Sequence, residues 1–96
     1  MLTVEKIKHE VSALAPKYNV IKVDLFGSYA SGLATEASDA DFMVLFDTET
    51  PSIFKVMGLK AELGLALGHD VDIVTLPMAN SQKMDIGDVM AIYERA

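Results

Sequence analysis

The sequence lacks cysteine altogether, and Arg95 is the single arginine among its 96 residues. Without cysteine the chain can form no disulfide, no thiolate metal site and no cysteine nucleophile, which fits a reducing compartment. No apolar run approaches the roughly 20 residues that cross a bilayer. The polar N-terminus predicts a helix and not a signal peptide. These absences predict a cytoplasmic protein without membrane contact.

Positive charge is also scarce, since 8 basic residues stand against 14 acidic ones for a formal net charge of −6. Proteins that bind nucleic acid usually carry a basic patch, because much of their affinity comes from phosphate neutralisation. A long DNA or RNA substrate is therefore not expected. A nucleoside triphosphate remains compatible with an acidic chain, because divalent cations bridge the like charges.

Apolar residues, by contrast, are abundant at 51% of the chain, whose length suits a single domain over residues 1–96. A chain this short buries a smaller fraction of its surface than a long one. The apolar content either compensates for this or leaves apolar surface for a homo- or hetero-oligomer. Composition alone does not separate these two alternatives.

Hydrophobic periodicity predicts a chain that alternates helices and strands. A first helix is predicted over residues 3–16, with strands over residues 20–26, 41–46 and 71–76. A short helical segment (29–34) and a polar loop (35–38) separate the first two strands. A longer helix that ends at Gly68 separates the second strand from the third. A weaker helical pattern in the tail is formed by Ile86, Val89, Ile92 and Tyr93.

The lengths of the connections predict the sheet topology. A helical crossover between the second and third strands makes those two strands parallel. The short link between the first and second strands allows an antiparallel pair. The expected fold class is therefore α/β (α+β), with a small mixed β-sheet flanked by helices.

Two aspartates, Asp39 and Asp41, stand two residues apart where the second strand begins. Residues i and i+2 of a strand point to the same face, so the two carboxylates would repel each other. A divalent cation between them removes that repulsion, and Mg²⁺ prefers such oxygen ligands when phosphates complete its shell. The alternative is a turn residue followed by an exposed strand end.

A third aspartate, Asp72, lies near the start of the predicted third strand, among apolar neighbours. If the second and third strands are parallel neighbours, Asp41 and Asp72 meet at one end of the sheet. Asp70 has the same face parity and is the rival candidate. Because it follows Gly68-His69 directly, Asp70 is interpreted as a loop residue.

Gly27-Ser28 follows the first strand and precedes the short helical segment. Such a turn can aim backbone N–H groups at an anion, and glycine lets the backbone approach closely. The serine hydroxyl adds a further donor. The alternative is an ordinary turn that ends the strand.

Taken together, these segments resemble the minimal nucleotidyltransferases of the DNA polymerase β superfamily. The resemblance rests on the order of four stretches and covers nearly the whole chain: residues 25–30 (LFGSYA), 31–32 (SG), 38–42 (SDADF) and 71–75 (VDIVT). It implies a polymerase-β-like nucleotidyltransferase fold with ATP as substrate and Mg²⁺, or Mn²⁺ in its place, as cofactor.

The resemblance also implies roles for individual residues. Gly27 and Ser28 would hold the β- and γ-phosphates. Asp39, Asp41 and Asp72 would be the metal-binding and catalytic carboxylates of a two-metal site, whose ions clamp the attacking and leaving oxygens at the α-phosphate. Asp72 would also help to activate the acceptor hydroxyl.

Three positions depart from the family pattern. Ser31 stands where arginine is common, Leu33 where an acidic residue is frequent, and Ala40 where a bulky aliphatic residue is usual. Loss of the arginine removes a phosphate or acceptor contact, which is expected to lower turnover more than metal binding.

Two functions are compatible with the resemblance. The first is transfer of a nucleoside monophosphate, AMP from ATP, to a hydroxyl of a small helical HEPN-domain toxin for which this chain is the antitoxin. The second is a catalytically weak antitoxin-like module that neutralises its partner by docking. A plain α/β domain with coincidental aspartates is the third alternative.

Overall fold

The structure is a computed structural model that describes residues 2–27, 32, 39–48, 50–75 and 89–95. The predicted short helix, apart from Gly32, and the predicted loop over residues 35–38 lie outside the described residues. In chain order the elements are helix α1 (Val4–Leu14), a 3₁₀ turn (Ala15–Tyr18), strands β1 (Val20–Phe26) and β2 (Ala40–Phe46), helix α2 (Ile53–Leu67), and strands β3 (Val71–Thr75) and β4 (Val89–Glu94).

These four strands form one mixed sheet in the order β3-β2-β1-β4. β1 pairs antiparallel with β2 and with β4, whereas β2 pairs parallel with β3 across the α2 crossover. The predicted mixed sheet and both predicted pairings of β2 are therefore confirmed.

Both helices pack on one face of this sheet. Buried residues of the two helices share a single apolar cluster with alternate residues of β2: Ile7, Val11, Leu59, Leu63, Leu67, Ala40, Phe42, Val44 and Phe46. Because side chains alternate along a strand, the intervening β2 residues, Asp41 among them, point to the opposite face. The core thus lies under the helices, and the acidic residues lie on the other side of the sheet.

Side-chain and backbone caps define where the helices begin and end. The Thr3 and Ser52 hydroxyl oxygens accept hydrogen bonds from the Lys6 and Phe54 backbone N–H groups, each at 3.1 Å. Gly68 ends α2 in the left-handed conformation, with φ at 63°, as its position predicts. No helix in the described part of the chain is long and apolar enough to span a membrane.

The tail departs from the helix predicted by its apolar spacing. Residues 89–94 form β4, which pairs with the edge of β1. The helix was predicted because Val89 and Ile92 are spaced to share one helical face. The prediction was wrong because the backbone of this segment instead pairs with the open edge of β1, which requires an extended chain. In the strand, Ile92 is buried at 7% exposure and Val89 is 45% exposed.

Alanine substitutions at these two positions test the strand directly. We expect Ile92→Ala to lower the free energy of unfolding by about 2–4 kcal/mol, the usual range for a buried isoleucine. Val89→Ala should stay within about 0.5 kcal/mol, as substitutions at exposed positions do. Chemical denaturation followed by circular dichroism measures both values, and equal losses would contradict the strand assignment.

Candidate functional site

The parallel pairing of β2 with β3 brings two predicted site residues side by side. In the register, Ala40 lies opposite Val71 and Asp41 lies opposite Asp72. The Ala40 backbone N–H donates to the Asp70 carbonyl oxygen at 3.1 Å, which fixes the point where the two strands begin to pair. Asp41 and Asp72 therefore occupy neighbouring positions at the same end of the sheet, as the parallel crossover predicts.

Asp39 completes the acidic cluster from the residue just before β2, where it is exposed to solvent. Asp41 is half-buried, and this burial raises the pKa of its carboxyl above the ordinary value. The negative charges of Asp72 and then Asp39 raise that pKa further. The three carboxylates are thus close enough to act on one another electrostatically.

Gly27 lies against the most buried of these carboxylates. It directly follows Phe26, which pairs with Asp41 across β1 and β2. A Cβ atom on Gly27 would come within 2.8 Å of Asp41 Oδ2, and the φ of Gly27 is 79°. The positive φ favours glycine here, and any larger residue would have to push the Asp41 carboxylate aside. The predicted phosphate-binding serine, Ser28, lies outside the described residues, as do Ser31 and Leu33.

Lys60 belongs to this site, although the sequence reasoning missed it. Its Nζ lies 3.6 Å from Asp72 Oδ1, and both side chains are about half exposed (50% and 56%). The signal in the sequence was a lysine in the middle of the helix that leads back to β3. The rival aspartate, Asp70, is exposed and precedes β3, which agrees with its interpretation as a loop residue.

Carboxylates are suitable ligands for a divalent cation, but the three aspartates of this site are not arranged around a common metal position. Within the described ranges, no group of three or more His, Cys, Asp or Glu side chains is arranged to hold a metal ion. Carboxylate oxygens are the ligands that Mg²⁺ and Mn²⁺ prefer. Burial, followed by the charges of Asp72 and Asp39, disfavours the ionised form of Asp41 and raises the pKa of its carboxyl. Lys60 lies beside one oxygen of Asp72, Oδ1, so the second carboxylate oxygen of Asp72 is the one that could join such a set.

A cleft of about 820 Å³ opens beside the acidic cluster. It runs from α2 to the point where β2 and β3 begin. Its described lining includes Asp39 and Asp70 at one end, and Met57, Ala61 and Leu65 along the helix. The cleft therefore leads from an apolar helix surface to a carboxylate of the site.

Comparison with known proteins places this geometry in a family. Residues 4–92 match the family described as nucleotidyltransferase domain. The protein adenylyltransferase MntA of Thermococcus cleftensis is 40% identical over 78 residues, which span 77% of this chain and 78% of the relative. A putative protein adenylyltransferase of Methanocaldococcus jannaschii is 42% identical over 72 residues, or 74% and 72% of the two chains.

Solved structures agree with this sequence likeness. A putative minimal nucleotidyltransferase shares 34% identity at a TM-score of 0.66, over 77% of this chain and 78% of that one. A toxin–antitoxin complex with AMP-PNP matches at a TM-score of 0.74 and 24% identity, over 91% of this chain and 73% of that one; at this identity it supports the fold alone. The chain belongs to the nucleotidyltransferase domain family, among the MntA-like protein adenylyltransferases.

Proposed function

We propose that this chain transfers AMP from ATP to a hydroxyl group on a partner protein. The hydroxyl oxygen forms a bond to the α-phosphorus, the bond from the α-phosphorus to the oxygen that bridges to the β-phosphate breaks, and pyrophosphate leaves. The observation that carries the proposal is the register that sets Asp41 beside Asp72, with Asp39 two residues upstream. Relatives that are 40% and 42% identical are named protein adenylyltransferases, which supports AMP as the transferred group and a protein as the acceptor.

The partner we propose is a small helical HEPN-domain protein, with this chain as its antitoxin. One structure of the same fold is a tri-AMPylated Shewanella oneidensis HEPN toxin in complex with an MNT antitoxin; it matches at a TM-score of 0.69 and 21% identity, over 96% of this chain and 73% of that one. That complex pairs a modified acceptor with a domain of this shape, which makes a helical protein partner the natural candidate.

Within this proposal each site residue has a distinct task. Asp39, Asp41 and Asp72 would hold Mg²⁺, or Mn²⁺ in its place, which when bound stabilises charge on the reacting oxygens at the α-phosphate. Gly27 and Ser28 would position the β- and γ-phosphates. The family resemblance also implies that Asp72 would help to activate the attacking hydroxyl.

Neutralisation by docking, without catalysis, is the second candidate. Two observations favour it: Asp72 is engaged by Lys60, and Ser31 replaces the arginine that is common in the family. A lost charge-assisted contact is worth about 1.5–3 kcal/mol, so it slows transfer by roughly ten- to a hundredfold without abolishing it. Slow transfer, and not its absence, is therefore the outcome we expect.

The central test is whether the partner gains mass. The partner to test is the proposed HEPN-domain protein, which we expect the reading frame next to that of this chain to encode. We expect this protein to gain one or more AMP masses when incubated with the chain, Mg²⁺ and ATP. Asp72→Asn should slow transfer by about a hundredfold or more, the usual effect of losing a proton acceptor. Ser31→Arg should accelerate it.

Intact-mass spectrometry over time provides the measurement, and Asp47→Asn is the matched control. Asp47 is an exposed aspartate just beyond the other end of β2, where it pairs with Arg95 at 3.2 Å. Its substitution removes the same charge and should leave the rate unchanged. If neither the wild type nor Ser31→Arg transfers AMP, the docking module becomes the better interpretation.

Asp41→Asn should separate stability from function. Because the folded-state pKa of Asp41 is raised, its contribution to stability is favourable at low pH and is lost as pH rises through that pKa. In metal-free buffer at neutral pH we expect Asp41→Asn to raise Tm by about 2–4 °C, which corresponds to roughly 0.5 kcal/mol.

Thermal scans at several pH values, with and without Mg²⁺ and ATP, give the answer. The advantage of Asp41→Asn should shrink as pH falls, and the variant should lose the extra stabilisation that Mg²⁺ and ATP give together. A variant that is less stable than wild type at neutral pH, or a gap independent of pH, would contradict the electrostatic account.

Gly27→Ala tests the close approach of β1 to the acidic cluster. The new Cβ has to displace the Asp41 carboxylate, and the positive φ adds backbone strain of about 1 kcal/mol. We expect transfer to fall at least tenfold. Gly32→Ala is the control, since Gly32 also has a positive φ but no atom of the described residues lies within 4 Å of its added Cβ. Equal losses in transfer would show that strain alone matters.

A further inference from the structure

The outer surface of α2 is an exposed apolar strip. At about 100° per residue, five of its side chains fall within one third of the helix circumference: Ile53, Phe54, Met57, Ala61 and Leu65. Phe54 is 84% exposed, Leu65 83%, Ile53 63% and Met57 58%. We call these five residues the α2 apolar face. A contiguous patch of this kind is typical of an interaction site.

The three charged side chains of α2 do not cover this face, because each of them contacts another residue of the chain. Lys60 pairs with Asp72, and Lys55 Nζ donates to Asn19 Oδ1 at 2.5 Å. Glu62 accepts hydrogen bonds from the Tyr18 hydroxyl and from Lys17 Nζ. A helix that is apolar on nearly all sides is normally covered on all sides. The core covers one side of α2, and the α2 apolar face is left open.

The α2 apolar face continues into the cleft that ends at the acidic cluster. Met57, Ala61 and Leu65 line the cleft, and so does Asp39. A segment seated on this helix therefore reaches Asp39 of the acidic cluster at the end of the cleft. Ala61 and Gly64, which also line the cleft, are small and leave space between the larger side chains.

The charge at the mouth of the cleft selects the kind of segment. Asp39, Asp70, Lys60 and His69 line it. The Lys60 charge is offset by Asp72, which lies 3.6 Å from it, so Asp39 and Asp70 leave the cleft with an excess of negative charge. Because Mg²⁺–ATP itself carries a net negative charge, loading the site with nucleotide does not make this end basic. Basic residues next to an apolar stretch are thus the complement of this surface.

We propose that the α2 apolar face and its cleft dock an apolar, helical segment of the acceptor protein that is flanked by lysine or arginine. Docking there brings a hydroxyl side chain of that segment to the acidic cluster. The inference rests on the proposed function for the identity of the acceptor, but the docking itself needs neither ATP nor metal.

Binding of two designed peptides tests the docking step alone. Both are 14-residue Leu/Ala helices with one central tyrosine, one flanked by lysines and the other by glutamates. We expect the lysine peptide to shift backbone amide resonances at residues 54–65 in ¹⁵N spectra recorded without nucleotide. Leu65→Glu should weaken that binding at least tenfold, and the glutamate peptide should bind at least tenfold more weakly than the lysine peptide.

Ala13→Glu is the matched control, because it adds the same charge at an exposed position of α1 and should bind within twofold of wild type. Leu65 is 83% exposed, so its substitution should leave the fold intact, which the same spectra verify. Three results would overturn the proposal: no shifts at 1 mM lysine peptide, shifts confined to another surface, or a homodimer that Leu65→Glu dissociates.

Transfer assays keep this inference apart from the proposed function. If the lysine peptide binds to α2 but no partner ever gains AMP, docking stands and catalysis fails. If Leu65→Glu modifies the neighbouring-frame protein at the wild-type rate, catalysis stands and docking on α2 is wrong. We expect Leu65→Glu to slow that transfer at least tenfold at low partner concentration and Ala13→Glu to leave it unchanged.

Discussion

The parallel pairing of β2 with β3 is the constraint on which the rest of the structure depends. It places Asp41 directly beside Asp72, an arrangement that like charges oppose. The pairing persists because the same strands bury Ala40, Phe42 and Val44 on their other face, each at 1% exposure or less. Burying one such phenylalanine or valine contributes about 1.5–3 kcal/mol. Apolar packing on one face thus holds an unfavourable charge cluster on the other.

The surroundings of the cluster lower its electrostatic cost only in part. Lys60 offsets charge at Asp72, whereas the pKa of Asp41 stays raised by burial and by its two acidic neighbours. A divalent cation would relieve this repulsion, so ligand binding and folding stability are expected to be linked. The close approach of Gly27 to Asp41 Oδ2 joins the proposed phosphate-binding turn to the same cluster. A substitution at Gly27 is therefore expected to alter the position of the Asp41 carboxylate, and a substitution at Asp41 to alter the contact with Gly27.

Helix α2 has two roles that follow from its composition. Leu59, Leu63 and Leu67 pack into the core beneath the sheet, and its opposite side forms the α2 apolar face. The charged side chains lie between these two sides and bind other parts of the chain. One helix thus fixes the crossover that aligns β2 with β3 and presents the surface that we propose for the acceptor. This arrangement explains why a short acidic chain carries so much apolar sequence.

Most helices and strands follow from the sequence, because hydrophobic periodicity and helix-end residues act over a few positions. The run from Val20 to Phe26, the helix that ends at Gly68 and the apolar β2 segment could all be predicted. The crossover length also predicted that Asp41 and Asp72 would meet.

The features that join distant segments depend on how the helices and strands pack together. Residues 89–94 became a strand because β1 offered a free edge, which short-range spacing cannot reveal. Lys60 reached Asp72 because α2 packs beside the β3 edge, and Gly27 met Asp41 because β1 and β2 align in one register. Such contacts depend on how elements pack, and no stretch of sequence encodes that alone.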